Sequence, residues 1–203
     1  SDDSVETDAS KSYVTFNPLG TVLSIMPWNF PFWQLFRFAA PALMAGNAVI
    51  LSHSENVTGC ALEIEKIIHT SGIPADLFRT ILVQNENMKP VIQHNGIAAV
   101  TLTGSTRAGK IVASQAGEAL KKTVLELGGS DPSIILADAN LKQAAESCVN
   151  SRTLNSGQSC NAPTRMLVPA SKLDRVTEIA KAAAQNIEPK DAALAESRLG
   201  PVA

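Results

Sequence analysis

The sequence predicts an α/β protein, a parallel sheet with flanking helices. Short runs of β-branched and aliphatic residues alternate with longer stretches of helical periodicity, and glycine, proline and asparagine punctuate the joints. A repeated strand, helix, strand order needs crossovers, so neighbouring strands run parallel and helices cover their faces. With 203 residues, 45% of them hydrophobic and 18% charged, the chain can bury the core of one or two such domains.

The first strand is expected over residues 21–26, followed by a helix over 32–44 and a second strand over 48–51. A helix over 57–71 places Ala61, Ile64 and Ile68 on one face; Gly72 ends it and Pro74 prevents continuation. Further strands are expected over 80–83 and 98–103. Gly104, Ser105 and Thr106 then open a helix running to about residue 120, and 123–126 reads as the next strand. From Gly129 a second unit begins, with a strand over 133–136, a helix from Leu141 into the Arg152 region, a strand over 165–168 and a helix from beyond Ser171 to near Asn186. The chain has no internal repeat or low-complexity tract.

Composition excludes several classes of partner. A formal net charge of −2 with no cluster of lysine or arginine gives no footprint for nucleic acid. Three cysteines at irregular spacing, Cys60, Cys148 and Cys160, fit a reducing compartment better than a disulfide framework, and three scattered histidines, His53, His69 and His94, make no metal site. The longest apolar run, 38–51, is broken by Pro41, Gly46 and Asn47, so no membrane span is expected. The acidic, polar first ten residues do not read as a signal peptide, and the expected setting is the cytoplasm.

Three segments carry chemistry. Asn155-Ser156-Gly157-Gln158-Ser159-Cys160 is a turn suited to presenting a thiol. Leu125-Glu126-Leu127-Gly128-Gly129, upstream of it, offers a carboxylate beside two glycines that let a substrate approach the backbone. Pro27-Trp28-Asn29-Phe30-Pro31 holds an amide between two prolines and two aromatics, where it can donate to an oxyanion. Taken singly each has a plainer meaning. A lone cysteine is most often an inert buried thiol, and asparagine beside proline usually bonds its own backbone. Cys60 and Cys148, inside predicted helices, are expected to be small core residues.

Together, in this order and spacing from about Tyr13 to the C-terminus, the three segments resemble the aldehyde dehydrogenase superfamily. The resemblance implies a remnant of an oligomerisation and interdomain arm over 1–17. It implies a Rossmann-like cofactor domain over 18–128, and the first part of a second α/β catalytic domain over 129–203. It also implies that the chain is part of a longer enzyme that forms a homo-oligomer. Cys160 would be the nucleophile, Asn29 with the Cys160 N–H the oxyanion donors, and Glu126, expected to be partly buried, the base that activates water. Gly104 and Ser105 would lie near the cofactor phosphates at a helix start, Trp28 near the same ligand, and the Leu127 backbone near the nicotinamide.

The match has departures. Ser52 stands where relatives usually have a lysine that grips the adenosine ribose, while Glu55 can still accept from ribose hydroxyls. Repulsion between Glu55 and a 2′-phosphate leans the cofactor from NADP toward NAD; the plainer reading makes 52–55 a solvated loop and helix cap. Arg37 matches a position resembling the substrate-carboxylate arginine of succinate-semialdehyde dehydrogenases, which points to succinic semialdehyde as the small aldehyde substrate. A second arginine of that branch is replaced by Leu154. Two alternatives stay open on the sequence. One is a CoA-acylating relative, disfavoured by the presence of Glu126. The other is a non-catalytic nucleotide-binding fragment, since no Glu-Glu-x-Phe-Gly-Pro segment occurs and the lysine at Ser52 is absent.

Overall fold

A computed structural model describes residues 2–203, which divide into a unit ending at Leu127 and a second beginning at Gly128. The first unit begins with an exposed antiparallel pair, β1 (Asp2–Ser4) and β2 (Tyr13–Thr15). The fold proper then runs β3 (Thr21–Met26), α1 (Pro31–Met44), β4 (Ala48–His53), α2 (Thr58–Thr70), β5 (Phe78–Ile81), α3 (Met88–Gln93), β6 (Ile97–Gly104), α4 (Thr106–Glu118) and β7 (Lys122–Leu127). Five parallel strands form one sheet in the order β5-β4-β3-β6-β7. The chain builds outward from β3 in one direction, returns, and builds outward in the other, which is the doubly wound arrangement.

Each sheet face has its own core. Leu35 and Ala39 of α1 and Ala61, Ile64 and Ile68 of α2 pack with Met26, Val49, Leu51 and Phe78. On the other face Met88 and Ile92 of α3 and Val112 and Ala116 of α4 pack with Leu23, Val100 and Leu102. The α2 stripe is the one its periodicity predicts. Asn47 closes the α1–β4 turn from inside: its Oδ1 accepts from the N–H groups of Leu19 and Gly20, and its Nδ2 donates to the Ala42 carbonyl.

Several boundaries differ from the sequence expectation. The strand expected over 80–83 lies earlier, because the fully buried Phe78 anchors it in the core. β4 runs on to His53 instead of stopping at 51, so Ser52 is a buried strand residue and not part of a solvated loop. The short α3, with Pro90 inside it, escapes prediction.

In the second unit β8 (Pro132–Ile134) pairs in parallel with β9 (Arg165–Leu167). Beside them are α5 (Leu141–Thr153) and α6 (Leu173–Gln185), with Ile135, Ala145 and Val176 at the centre of a small core. Cys148 packs on that core, whereas Cys60 is only half-buried and lies beside the α2 stripe. Among the described residues no helix is long and apolar enough to cross a membrane.

Candidate active site

In a doubly wound sheet the strand order reverses at one point, and the loops at the carboxyl ends of the two strands there part to leave a crevice. Here the reversal falls between β3 and β6. A crevice of about 200 Å³ opens there, lined by Pro27 after β3, Ser52 and His53 at the end of β4, Glu55 beyond it, and Thr103 and Gly104 at the end of β6. Three expected cofactor residues, Ser52, Glu55 and Gly104, thus share one cavity. Among the described residues that line it, Glu55 is the only charged one.

Ser105, the residue after β6, caps α4: its hydroxyl accepts from the Ala108 N–H. The remaining first-turn N–H groups of α4 form the positive end of a helix dipole, which favours an anionic ligand. Ser105 lines a second cavity of about 320 Å³ beside Met88 of α3 and Arg107 of α4. The two cavities share Ile25, Asn85, Leu102 and Ala108, so one wall serves both. A crevice at the strand ends, a helix N-terminus and an adjoining recess of mixed polar and apolar lining are features that a dinucleotide's ribose, phosphates and base can use.

The turn after β3 carries Trp28 and Asn29, both partly buried, and delivers the chain into α1 with Pro31 in its first turn. His53 faces this turn. Its Nε2 lies 3.1 Å from the Pro31 carbonyl, and the Ser54 N–H donates to its Nδ1 at 3.0 Å. A carbonyl only accepts, so Nε2 carries the proton. Burial pushes the imidazole below its ordinary pKa of 6.5, opposed by the Pro31 and Met26 carbonyls, and the ring is neutral near pH 7. Sequence reading passed over His53; its one signal is a position at the end of the second strand beside Ser52.

Glu126 and Arg37 meet. The Arg37 guanidinium on α1 stands 3.8 Å from the Glu126 carboxylate on β7, and both side chains are about half exposed. The expected partial burial of Glu126 is therefore not found: β7 is an edge strand, with a neighbour on one side only. Leu127, the last residue of β7, packs its side chain against Gly109 of α4, leaving its backbone at the carboxyl edge of the sheet.

In the second unit Cys160 is exposed. The turn before it is strained, since Asn155, Ser156 and Gly157 all have positive φ, at 51°, 57° and 76°. It is tied down by Arg152, whose guanidinium donates to the Gly157 carbonyl at 3.0 Å. Gly129, from the segment that carries Glu126, lies beside the Cys160 backbone; a Cβ there would sit 3.7 Å from the Cys160 carbonyl oxygen.

The family model described as "Aldehyde dehydrogenase family" matches residues 1–203. The chain belongs to the aldehyde dehydrogenase family. Among its relatives is a probable succinate-semialdehyde dehydrogenase [NADP(+)] of Synechocystis, 48% identical over 202 residues, covering 100% of this chain and 44% of the relative. The Escherichia coli succinate semialdehyde dehydrogenase [NAD(P)+] Sad is 44% identical, covering 95% of this chain and 42% of that one. In structure, the succinic semialdehyde dehydrogenase of Streptococcus pyogenes in complex with NADP+ superposes with a TM-score of 0.94 at 33% identity, over 98% of this chain and 44% of that one. The chain thus spans 42 to 44% of the length of these relatives. Their names lend no support to a preference for NAD over NADP.

Proposed function

We propose that the enzyme to which this chain belongs oxidises an aldehyde, succinic semialdehyde in the first instance, to its carboxylic acid with a nicotinamide dinucleotide. The observation that carries the reading is the crevice at the strand-order reversal, where Ser52, Glu55 and Gly104 come together within a chain of this family. Glu55 would accept from ribose hydroxyls, and the start of α4 would take the phosphates. When bound, the cofactor supplies the hydride acceptor.

The remaining steps fall to side chains. The Cys160 thiolate adds to the aldehyde carbon, and the carbonyl electron pair moves onto oxygen. Asn29 and the Cys160 N–H hold that oxyanion, each donor contributing roughly 3 kcal/mol. Collapse of the alkoxide expels hydride and leaves a thioester. Glu126 takes a proton from water, whose oxygen attacks the thioester carbon, and the acid departs as the Cys160 thiolate is released. Arg37 would take the far carboxylate of the substrate. NAD is favoured over NADP because the crevice offers Glu55 and no cation to a 2′-phosphate. Homo-oligomer assembly and a cytoplasmic setting belong to the same proposal.

The test is reduction of NAD or NADP by the purified protein with succinic semialdehyde, with Cys160→Ala alongside. Reduction abolished by the substitution supports the reading, and the ratio of the two cofactors tests the Glu55 argument. A folded protein that binds cofactor but reduces neither favours the non-catalytic alternative for this chain. Accumulation of acyl-CoA only when CoA is added would replace the hydrolytic step.

A further inference from the structure

Ser156 is the misfit in the turn before Cys160. Gly157 takes a positive φ freely, and asparagine visits that region more readily than most residues; serine has a Cβ and no such preference, yet holds φ at 57°. A bond from elsewhere in the second unit opposes that cost. The Ser156 hydroxyl donates to the Gly200 carbonyl at 3.0 Å, across 44 residues of sequence. Further along the same turn, Gln158 Oε1 accepts from the Ala203 N–H at 2.8 Å. Segment 198–203 is itself anchored to the chain leaving α6: Leu199 bridges to Pro189, and its carbonyl accepts from the Lys190 N–H at 2.9 Å. A cavity of about 270 Å³, lined by Asn150, Thr153 and Leu154 around the end of α5 and by Ile187 and Arg198, lies where side chains would otherwise pack. Hydrogen bonds therefore carry the connection.

We propose that Ser156 is a positioning residue for Cys160: its bond to the Gly200 carbonyl holds the 155–157 turn in its left-handed shape, so that segment 198–203 sets how the thiol is presented. The proposal rests on the reading of Cys160 as the nucleophile. An attacking atom must be directed before its substrate arrives, and a thiol on an exposed turn has no core around it to direct it. Arg152 braces the turn from α5 through the Gly157 carbonyl, and Gly200 braces it through Ser156. Held at both places, the turn keeps a left-handed run that its own serine disfavours.

Two variants separate the bond from the backbone shape it holds. The Gln158 N–H donates to the Asn155 carbonyl at 3.0 Å and closes the turn, so its deuterium exchange, read by NMR, rises with the open population of the turn. Ser156→Ala removes the hydroxyl and keeps the Cβ; exchange should be about fivefold faster, the equivalent of one neutral hydrogen bond. Ser156→Gly also loses the bond, but glycine has no left-handed penalty, and exchange should stay within about twofold of the parent. An alanine variant that exchanges like the parent overturns the proposal, as does a glycine variant as fast as alanine. So does an alanine variant that unfolds or exchanges faster throughout the second unit, since the bond would then hold the unit and not the turn. The link to the thiol has its own readout. Cys160 is expected to add its S–H across the C=O bond of succinic semialdehyde. At about ten times the aldehyde concentration that half-protects Cys160 from iodoacetamide, Gln158 exchange in the parent should slow about tenfold, because an adduct formed only in the held turn draws down the open state. Protection without slowing overturns the proposal. Absence of protection counts against Cys160 as the nucleophile, while the alanine and glycine comparison, made without aldehyde, still decides what Ser156 holds.

Discussion

Two glycines in α4 should answer the same substitution with opposite signs. At Gly117 an added Cβ meets nothing within 4 Å, so Gly117→Ala should collect most of the helix-propensity difference, about 0.5–1 kcal/mol in favour of folding. At Gly109 the added Cβ would sit 2.6 Å and 2.9 Å from the two terminal methyls of Leu127 and 3.4 Å from its Cγ. Both methyls are contacted, so Leu127 must change rotamer or β7 must move outward. Overpacking of this kind costs about 1–3 kcal/mol, which more than offsets the propensity gain of up to about 1 kcal/mol. The two variants should therefore differ by about 2 kcal/mol. Urea unfolding followed by tryptophan fluorescence measures this in the first unit, which contains both tryptophans. With a slope of about 2 kcal/mol/M, the midpoints should separate by about 1 M. A Gly109→Ala protein as stable as Gly117→Ala would refute the reasoning, since it would mean that Leu127 yields at no cost. The point bears on function because Leu127 follows Glu126 directly at the end of β7.

Two further outcomes can be checked with the purified chain. Cys160 is exposed while Cys60 and Cys148 are partly buried, so iodoacetamide followed by peptide mass analysis should find Cys160 modified about tenfold faster than either; equal rates would mean that the 155–160 turn does not present the thiol. The folded-state pKa of His53 lies below its ordinary 6.5, so the unfolded chain binds more protons in the window between the two. The stability linked to this group is present above 6.5 and is lost as pH falls through the folded pKa, and the slope that disappears in His53→Gln measures it. A pH profile unchanged by that substitution would show that the ring is solvated.

What the sequence makes legible is what is decided locally. The α2 stripe of Ala61, Ile64 and Ile68 and the α/β alternation follow from periodicity and from breakers such as Gly72 and Pro74. The exposure of Glu126 was hidden, because it depends on β7 lying at a sheet edge, a fact of strand order that no window around Glu126 contains. The same holds for Ser52: its burial comes from β4 pairing on both sides, with β3 and β5, which turns an expected loop residue into a strand residue. Gly157 advertises a positive φ by its identity, but Asn155 and Ser156 are driven there by the turn around them. His53 looks like an isolated histidine until the fold brings the Pro31 carbonyl to its ring.

The Arg37–Glu126 contact joins two residues to which different tasks are proposed. At 3.8 Å and half exposed, the pair is a loose surface ion pair, of a kind worth about 0–1 kcal/mol. A substrate carboxylate that takes the guanidinium bidentately gains a stronger, charge-assisted pair than the one it displaces. On the proposed reading, exchange of Glu126 for substrate at Arg37 therefore costs little, and it frees the Glu126 carboxylate for water when there is a thioester to hydrolyse. An aldehyde without a second carboxylate would leave the pair intact and the base still engaged. Selectivity for a semialdehyde would then arise from the state in which Glu126 is left, as well as from the strength with which the substrate is held.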